Sequence, residues 1–230
     1  MRAAAILLAA GRGERLGHAL PKAFVPLAGR SLLARSAEAL RSSPGVEAVQ
    51  PVLPAGAGLP EDARGLGLLP PVAGGARRQD SVLAGLRALP EGFEWVAVHD
   101  AARPRVRPEA VAQVLEAARR HGAALLAVPV ADTLKRVHEG RVVETAPREG
   151  LWAAQTPQAF RTELLREALE KALAEGRSGT DCASLVEALG APVWVVEGDP
   201  DNRKITGPED LAEAERELAS VEAAPAGAKR

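Results

Sequence analysis

Near the N-terminus, Ala3–Ala9 is an unbroken apolar run, too short for a typical helix and without a polar position to turn toward water. Such a run reads as a strand buried on both faces, the condition of a strand inside a parallel sheet covered by helices. It passes into Ala10-Gly11-Arg12-Gly13-Glu14-Arg15-Leu16 and on to Pro21-Lys22. Glycine lets backbone N–H groups approach an anion, and a helix start adds partial positive charge. Arg15 and Lys22 can neutralise phosphate oxygens. The stretch therefore predicts a strand that delivers a loop to a polyphosphate.

The alternation continues along the chain. Ser31–Leu40 has helical spacing with Ser31 as its N-cap, Glu47–Leu53 reads as a second strand, and Leu66–Leu69 as another short one. Gly74-Gly75-Ala76-Arg77-Arg78-Gln79-Asp80-Ser81 is a second glycine turn, opening the helical pattern Val82–Leu89. Trp95–His99 is a strand ending at Asp100, Pro108–His121 a helix and Ala123–Val128 a strand. This order predicts a doubly wound, mostly parallel α/β sheet with helices on both faces and ligands beyond the C-terminal ends of the strands. Thr133–Val137 and Arg141–Thr145 alternate around Glu139-Gly140 as a β-hairpin, an inserted arm suited to pairing with another subunit. Helices follow at Thr162–Glu175 and Asp181–Leu189, then a strand at Val193–Val196 and a helix at Pro208–Ser220. With no internal repeat and no interdomain linker, residues 1–222 are expected to form one domain with an arm at about 132–148, and 223–230 a flexible tail.

A chain of 230 residues that is 47% hydrophobic and 26% charged can bury a substantial core. A net charge of −1 argues against a general nucleic-acid binder. One cysteine, Cys182, allows no intramolecular disulfide and no cysteine metal cluster. Without a long apolar span or a leader segment, no membrane partner is expected, and the location expected is the cytoplasm.

The opening loop lacks the Gly-Lys-Ser/Thr ending of a P-loop. Its glycines at 11, 13 and 17 place the third four residues after the second, against three in the dinucleotide fingerprint. Taken alone, it is equally a strand-to-helix turn with surface arginines. Asp100, closing a strand, is a natural Mg²⁺ ligand, because Mg²⁺ takes one or two carboxylates and leaves the rest to phosphates and water. The plainer alternative is a turn cap or a pair with Arg103. Lys204, in Asp201-Asn202-Arg203-Lys204-Ile205-Thr206, follows the last strand and can reach the same sheet edge. His99 reads as structural, since no serine nucleophile with an oxyanion loop accompanies it. Cys182 reads as a small buried residue, Asp181 as an N-cap or a functional group, and Trp152 as packing beneath a substrate loop.

Further motifs stand in order: Ala9–Leu16 with Pro21-Lys22, Gly74-Gly75 with Arg78 and Ser81–Leu86, Val98–Pro104, Asp132–Lys135, Leu151–Gln158, Thr180-Asp181 and Asn202–Thr206. Together they resemble the 2-C-methyl-D-erythritol 4-phosphate cytidylyltransferase family, among the sugar-phosphate nucleotidyltransferases, from about Ala3 to Leu218. The resemblance implies a Rossmann-like nucleotidyltransferase fold and a homodimer formed partly through the arm. It implies Mg²⁺ and the transfer of a cytidylyl group from CTP to a sugar-alcohol phosphate, with release of pyrophosphate. By matching position, it implies Arg15, Lys22 and Lys204 as catalytic cations around the triphosphate. Ala9, Ala10, Gly11, Gly13, Gly75 and Ser81 would hold CTP, and Asp100 the metal. Arg103, Thr133, Arg148 and Thr156 would hold the methylerythritol phosphate, Thr133 and Arg148 from the partner subunit. Arg203 departs from the aliphatic residue more usual in the family, and the arm is slightly short. A ribitol 5-phosphate cytidylyltransferase shares nearly every nucleotide motif; Arg148 and the Gln155-Thr156-Pro157-Gln158 turn favour the first substrate. A catalytically silent nucleotide-binding module is the competing class, opposed by the joint presence of Arg15, Lys22, Asp100 and Lys204. The glycine spacing disfavours a dehydrogenase.

Overall fold

The structure, a computed structural model, describes residues 2–11, 13 and 20–223. Glu14, Arg15 and the tail after Ala223 lie outside the described residues. In chain order the strands are β1 (Ala3–Leu8), β2 (Pro26–Leu27), β3 (Arg30–Ser31), β4 (Val46–Leu53), β5 (Val72–Ala73), β6 (Trp95–Asp100), β7 (Ala123–Pro129), β8 (Leu134–His138), β9 (Arg141–Ala146), β10 (Trp152–Arg161) and β11 (Trp194–Glu197). The helices are α1 (Leu32–Arg41), α2 (Arg78–Ala88), α3 (Pro108–His121), α4 (Thr162–Ala174), α5 (Cys182–Glu187) and α6 (Pro208–Ala223).

β1 lies inside a seven-stranded sheet of order β11-β7-β10-β6-β1-β4-β5. It pairs in parallel with β4 and with β6. Because side chains of a strand alternate between faces, β1 feeds two cores. Ala3, Ala5 and Leu7 join Leu33 and Leu40 of α1 and Val111, Val114 and Leu115 of α3. Ile6 joins Val82 and Leu86 of α2, Leu165 and Leu169 of α4, and Leu185 and Val186 of α5. Burial on both faces explains the absence of polar positions in the run. Ser31 caps α1 as expected, its hydroxyl accepting from the Ala34 N–H at 3.1 Å. Among the described residues, no helix is long and apolar enough to cross a membrane.

Three expectations are corrected. Leu66–Leu69 is not a strand: its link to the sheet is the Leu69 N–H on the Val49 carbonyl at 2.9 Å. Pro70 and Pro71 follow at once and cannot donate, so the edge strand forms only after them, where Val72 and Ala73 pair with Val52 and Leu53. The stretch around Gln155-Thr156-Pro157-Gln158 is not a turn but the middle of β10, which runs antiparallel between β6 and β7 with a register shift between Ala154 and Gln158. Its buried side chains are largely polar, so no apolar alternation marked it. Trp152 is 43% exposed rather than packed beneath a loop.

The hairpin forms as expected. β8 and β9 make a separate two-stranded sheet around a two-residue turn with positive φ at Glu139 (48°) and Gly140 (75°). Val137, Val142 and Val143 on it are more than half exposed.

α2 crosses β1 and β4 at Gly85. A Cβ there would stand 2.7 Å from Ile6 Cγ2 and 2.8 Å from Val52 Cγ2, both on β-branched side chains that cannot swing aside. Alanine in a helix interior ordinarily gains up to about 1 kcal/mol over glycine. Here the overpacking cost of about 1–3 kcal/mol wins, so Gly85→Ala is expected to lower the stability measured by denaturant unfolding by about 1 kcal/mol.

Candidate active site

β1 and β6 end side by side, Leu8 in register with Asp100. Beyond them lies a cavity of about 900 Å³. Ala9, Ala10, Gly11 and Gly13 line one side of it, and Gly75, Arg77, Arg78 and Ser81 another. Asp100, Lys22, Lys204 and Thr206 complete the polar wall. The sites read from sequence at CTP and at the metal, with Lys22 and Lys204, therefore converge on one cavity; Arg15 lies outside the described residues. The two glycine loops close on each other because Gly74 has no side chain: a Cβ there would stand 2.4 Å from Ala10 Cβ and 2.8 Å from Ser81 Oγ. Gly13 has φ +71°, and a Cβ on it would meet Lys22 Cβ at 2.6 Å, so glycine is what lets the loop pass over Lys22.

The centre of the site is Asp100. Its Oδ1 accepts from Arg78 Nε (3.2 Å) and Nη2 (3.0 Å), and its Oδ2 from Lys204 Nζ (2.7 Å). Burial pushes the Asp100 carboxyl up, but the charges of Arg78 and Lys204 outweigh it and hold the group well below the usual carboxylate range. Burial likewise pulls Arg78 down, and its partners Cys182 and Asp100 more than reverse this. At neutral pH the charged partner is Asp100, since burial pushes the Cys182 thiol up. The cluster is a fixed carboxylate between two cations, drawn from β6, the start of α2 and the loop after β11. Arg78 stands in the second glycine motif but outside the site residues read from sequence; nothing local signals that it, at the start of α2, faces the carboxylate that ends β6. The pairing of Asp100 with Arg103 raised from sequence is limited to the backbone, Arg103 N–H to Asp100 O at 2.9 Å.

Behind Asp100, Thr156 Oγ1 accepts from the Asp100 N–H at 3.1 Å and lies 3.0 Å from His99 Nδ1. The Arg103 carbonyl can only accept, so Nε2–H donates to it at 3.1 Å, and the bare Nδ1 of the neutral ring accepts the Thr156 hydroxyl proton. His99 is fully buried, and burial lowers its pKa from 6.5 to about 4. It is a neutral structural group, as the sequence suggested. Asp181 is an N-cap, its carboxylate accepting from the Ser184 N–H at 2.8 Å and from Gln158 Nε2 at 2.7 Å.

The four residues expected at the second substrate are distributed differently. Thr156 is 4% exposed with its hydroxyl turned to Asp100 and His99. The Arg103 guanidinium donates to the carbonyls of Asn202 (2.7 Å) and Ala154 (3.3 Å). Thr133 and Arg148 are exposed on the arm, the Arg148 guanidinium against the Ala131 carbonyl.

A mostly parallel sheet with glycine loops, a buried carboxylate and converging cations at its strand ends is the arrangement of a Rossmann-like nucleotidyltransferase. Comparison with known proteins gives the family. The family model for 2-C-methyl-D-erythritol 4-phosphate cytidylyltransferase, IspD, matches residues 3–220, and the chain belongs to this family. It is 49% identical over 214 residues to the 2-C-methyl-D-erythritol 4-phosphate cytidylyltransferase of Deinococcus radiodurans, covering 93% of this chain and 88% of that one. It is 50% identical over 224 residues to the bifunctional enzyme IspD/IspF of Anaeromyxobacter sp., covering 93% of this chain. The chain spans 56% of the length of that bifunctional relative. The crystal structure of 2-C-methyl-D-erythritol 4-phosphate cytidylyltransferase from Thermus thermophilus superimposes with a TM-score of 0.83 at 42% identity, over 95% of this chain and 100% of that one.

The two titrating groups predict an acid profile. A histidine whose folded pKa is lowered takes its proton more readily when unfolded, so its contribution is full above pH 6.5 and falls toward about 4. Unfolding free energy should drop by about 2 kcal/mol between pH 7.5 and pH 5 from His99 alone. Asp100, with its pKa depressed, adds its loss only below about pH 4. Urea unfolding across this range checks both, and His99→Asn should abolish the upper slope.

Proposed function

We propose that the protein transfers the cytidylyl group of CTP to 2-C-methyl-D-erythritol 4-phosphate, giving 4-diphosphocytidyl-2-C-methyl-D-erythritol and pyrophosphate, a step toward isoprenoid precursors outside the mevalonate route. What carries this reading is the Arg78–Asp100–Lys204 cluster, with Lys22, in a cavity of nucleotide size within a chain of this family.

The nucleophile is a phosphate oxygen already anionic at pH 7, so no general base is required. It forms a new P–O bond at the α-phosphate as the bond to the β-phosphate breaks, and the electron pair leaves on pyrophosphate. The obstacle is an anion approaching an anion. Lys22, Lys204 and Arg15 screen that repulsion and hold the in-line geometry, which dominates catalysis of such transfers. Ala9, Ala10, Gly11, Gly13, Gly75 and Ser81 hold the cytidine end. Asp100 suits Mg²⁺: it is a single carboxylate, kept ionised by its neighbours, on the wall of a cavity lined by two glycine loops and several cations. Bound there, Mg²⁺ would neutralise phosphate charge. Arg103 and Thr156 serve the methylerythritol phosphate end from behind Asp100. Thr133 and Arg148 reach that end across a homodimer, supported by the exposed Val137, Val142 and Val143 on an arm that the other described residues leave uncovered. Both substrates are soluble phosphates, which suits a cytoplasmic enzyme.

Pyrophosphate release with Mg²⁺ should require CTP rather than UTP, ATP or GTP, and methylerythritol phosphate rather than ribitol 5-phosphate. No release with the first pair would sink the reading. Lys22→Ala should lose about 100-fold or more in turnover while melting normally, by analogy with the loss of one oxyanion donor. Mixing Arg148→Ala with Lys22→Ala subunits should recover about a quarter of wild-type activity, because half the dimers are mixed and each has one intact site. Mixed dimers without recovery would show that sites are not shared.

A further inference from the structure

Lys204 reaches Asp100 from an irregular loop, and one buried side chain ties that loop to the sheet. Asn202 is 2% exposed. Its Nδ2 donates to Gln155 Oε1 at 3.1 Å and to the Thr156 carbonyl at 2.9 Å, and the Asn202 backbone carbonyl accepts from Arg103 Nη1 at 2.7 Å. Gln155 holds the loop a second time, its Nε2 donating to the Asp199 carbonyl at 2.8 Å. Thr156, whose carbonyl receives Asn202, is the residue whose hydroxyl receives the Asp100 N–H. A single residue of β10 is thus bonded both to the residue two before Lys204 and to the residue Lys204 pairs with.

We infer that Asn202 is a positioning residue for the transfer reaction: its amide locks the 199–205 loop to β10 and so sets the reach of Lys204 to Asp100 and to the triphosphate. A lysine at the end of four rotatable bonds loses substantial side-chain entropy when fixed. Fixing its backbone relative to Asp100 confines that loss to the side chain itself. Two donated hydrogen bonds in a site closed to water are what an isosteric aspartate cannot supply, since a carboxylate there would face two acceptors. Asn202 touches no substrate in this scheme and acts through Lys204.

This inference rests on the proposed reaction only for its kinetic readout. Wild type, Asn202→Ala, Asn202→Asp, Lys204→Ala and the Asn202→Ala/Lys204→Ala double variant are compared in two assays. One measures kcat and KM for pyrophosphate release. The other measures binding of inorganic tripolyphosphate by calorimetry, which needs no turnover. Asn202→Ala and Asn202→Asp are expected to lower kcat by about 10- to 100-fold, and the double variant to be within about twofold of Lys204→Ala. Tripolyphosphate affinity should fall in the same non-additive pattern. Losses that multiply in the double variant, or wild-type kcat and binding in Asn202→Asp, would overturn the inference. If Asn202→Ala does not fold, Gln155→Ala removes the amide's acceptor from the strand side and carries the same comparison. Wild type that turns over no CTP but shows the non-additive tripolyphosphate pattern would refute the proposed reaction and retain the role of Asn202.

Discussion

A carboxylate taken out of water is tolerated only when opposite charge and hydrogen bonds replace its hydration. Asp100 is in that position, 8% exposed at the end of a central strand, and the rest of the site is arranged to meet its demand. Arg78 comes from the start of α2 and Lys204 from the loop after β11, so one ion cluster joins three segments far apart in sequence. Taking away one partner would leave the Asp100 charge less well balanced, at a cost below the about 3–5 kcal/mol of a fully buried pair, because the Arg78 and Lys204 side chains keep 28% and 41% of their surface exposed. Arg78 and Lys204 are already oriented by Asp100, which lowers the cost of orienting them for a phosphate.

Behind the cluster, polar side chains occupy positions that a parallel α/β sheet normally gives to aliphatic residues. Gln155, Thr156 and Gln158 of β10 are each at most 5% exposed. Each is satisfied by a different segment: Gln155 by the loop at Asp199 and Asn202, Thr156 by Asp100 and His99 at the end of β6, and Gln158 by Asp181 and the first amides of α5. Strand β10, antiparallel to both of its neighbours, therefore serves as a rack on which the ligand-facing loops are hung. Hydrogen bonds of this kind contribute little net stability but are costly to leave unmade. They hold the loops in one arrangement rather than many.

Most of the architecture was legible because its signals are local and repeated. β1, β6, β7 and β11 are mainly apolar runs of strand length, β4 is one interrupted by Glu47 and Gln50, α1 and α3 carry helical periodicity, and Glu139-Gly140 is turn chemistry between alternating segments. Elements whose stability comes from elsewhere were not legible. β10 looked like a turn because its polar side chains have partners on remote loops. Leu66–Leu69 looked like a strand because its composition suits one, while the sheet edge was settled by Pro70 and Pro71. Trp152 carries the bulk of a core residue but stands at the base of the arm, 43% exposed.

By itself the sequence determined most of the order of strands and helices, though not β2, β3 or β10, together with the two glycine loops and the presence of a carboxylate and several cations at strand ends. Through its motifs it also determined the family. These follow from hydrophobic period and chain connectivity, which act over a few residues and need no partner. Only the tertiary structure decided that Arg78 rather than Arg103 carries the ion pair with Asp100, that the hydroxyl of Thr156 faces inward, and that Asn202 ties the Lys204 loop to the sheet. Those choices depend on which groups meet across separations of 22 to 104 positions in the chain. Hydrogen bonds and ion pairs are set by distance in space, to which local sequence pattern is blind.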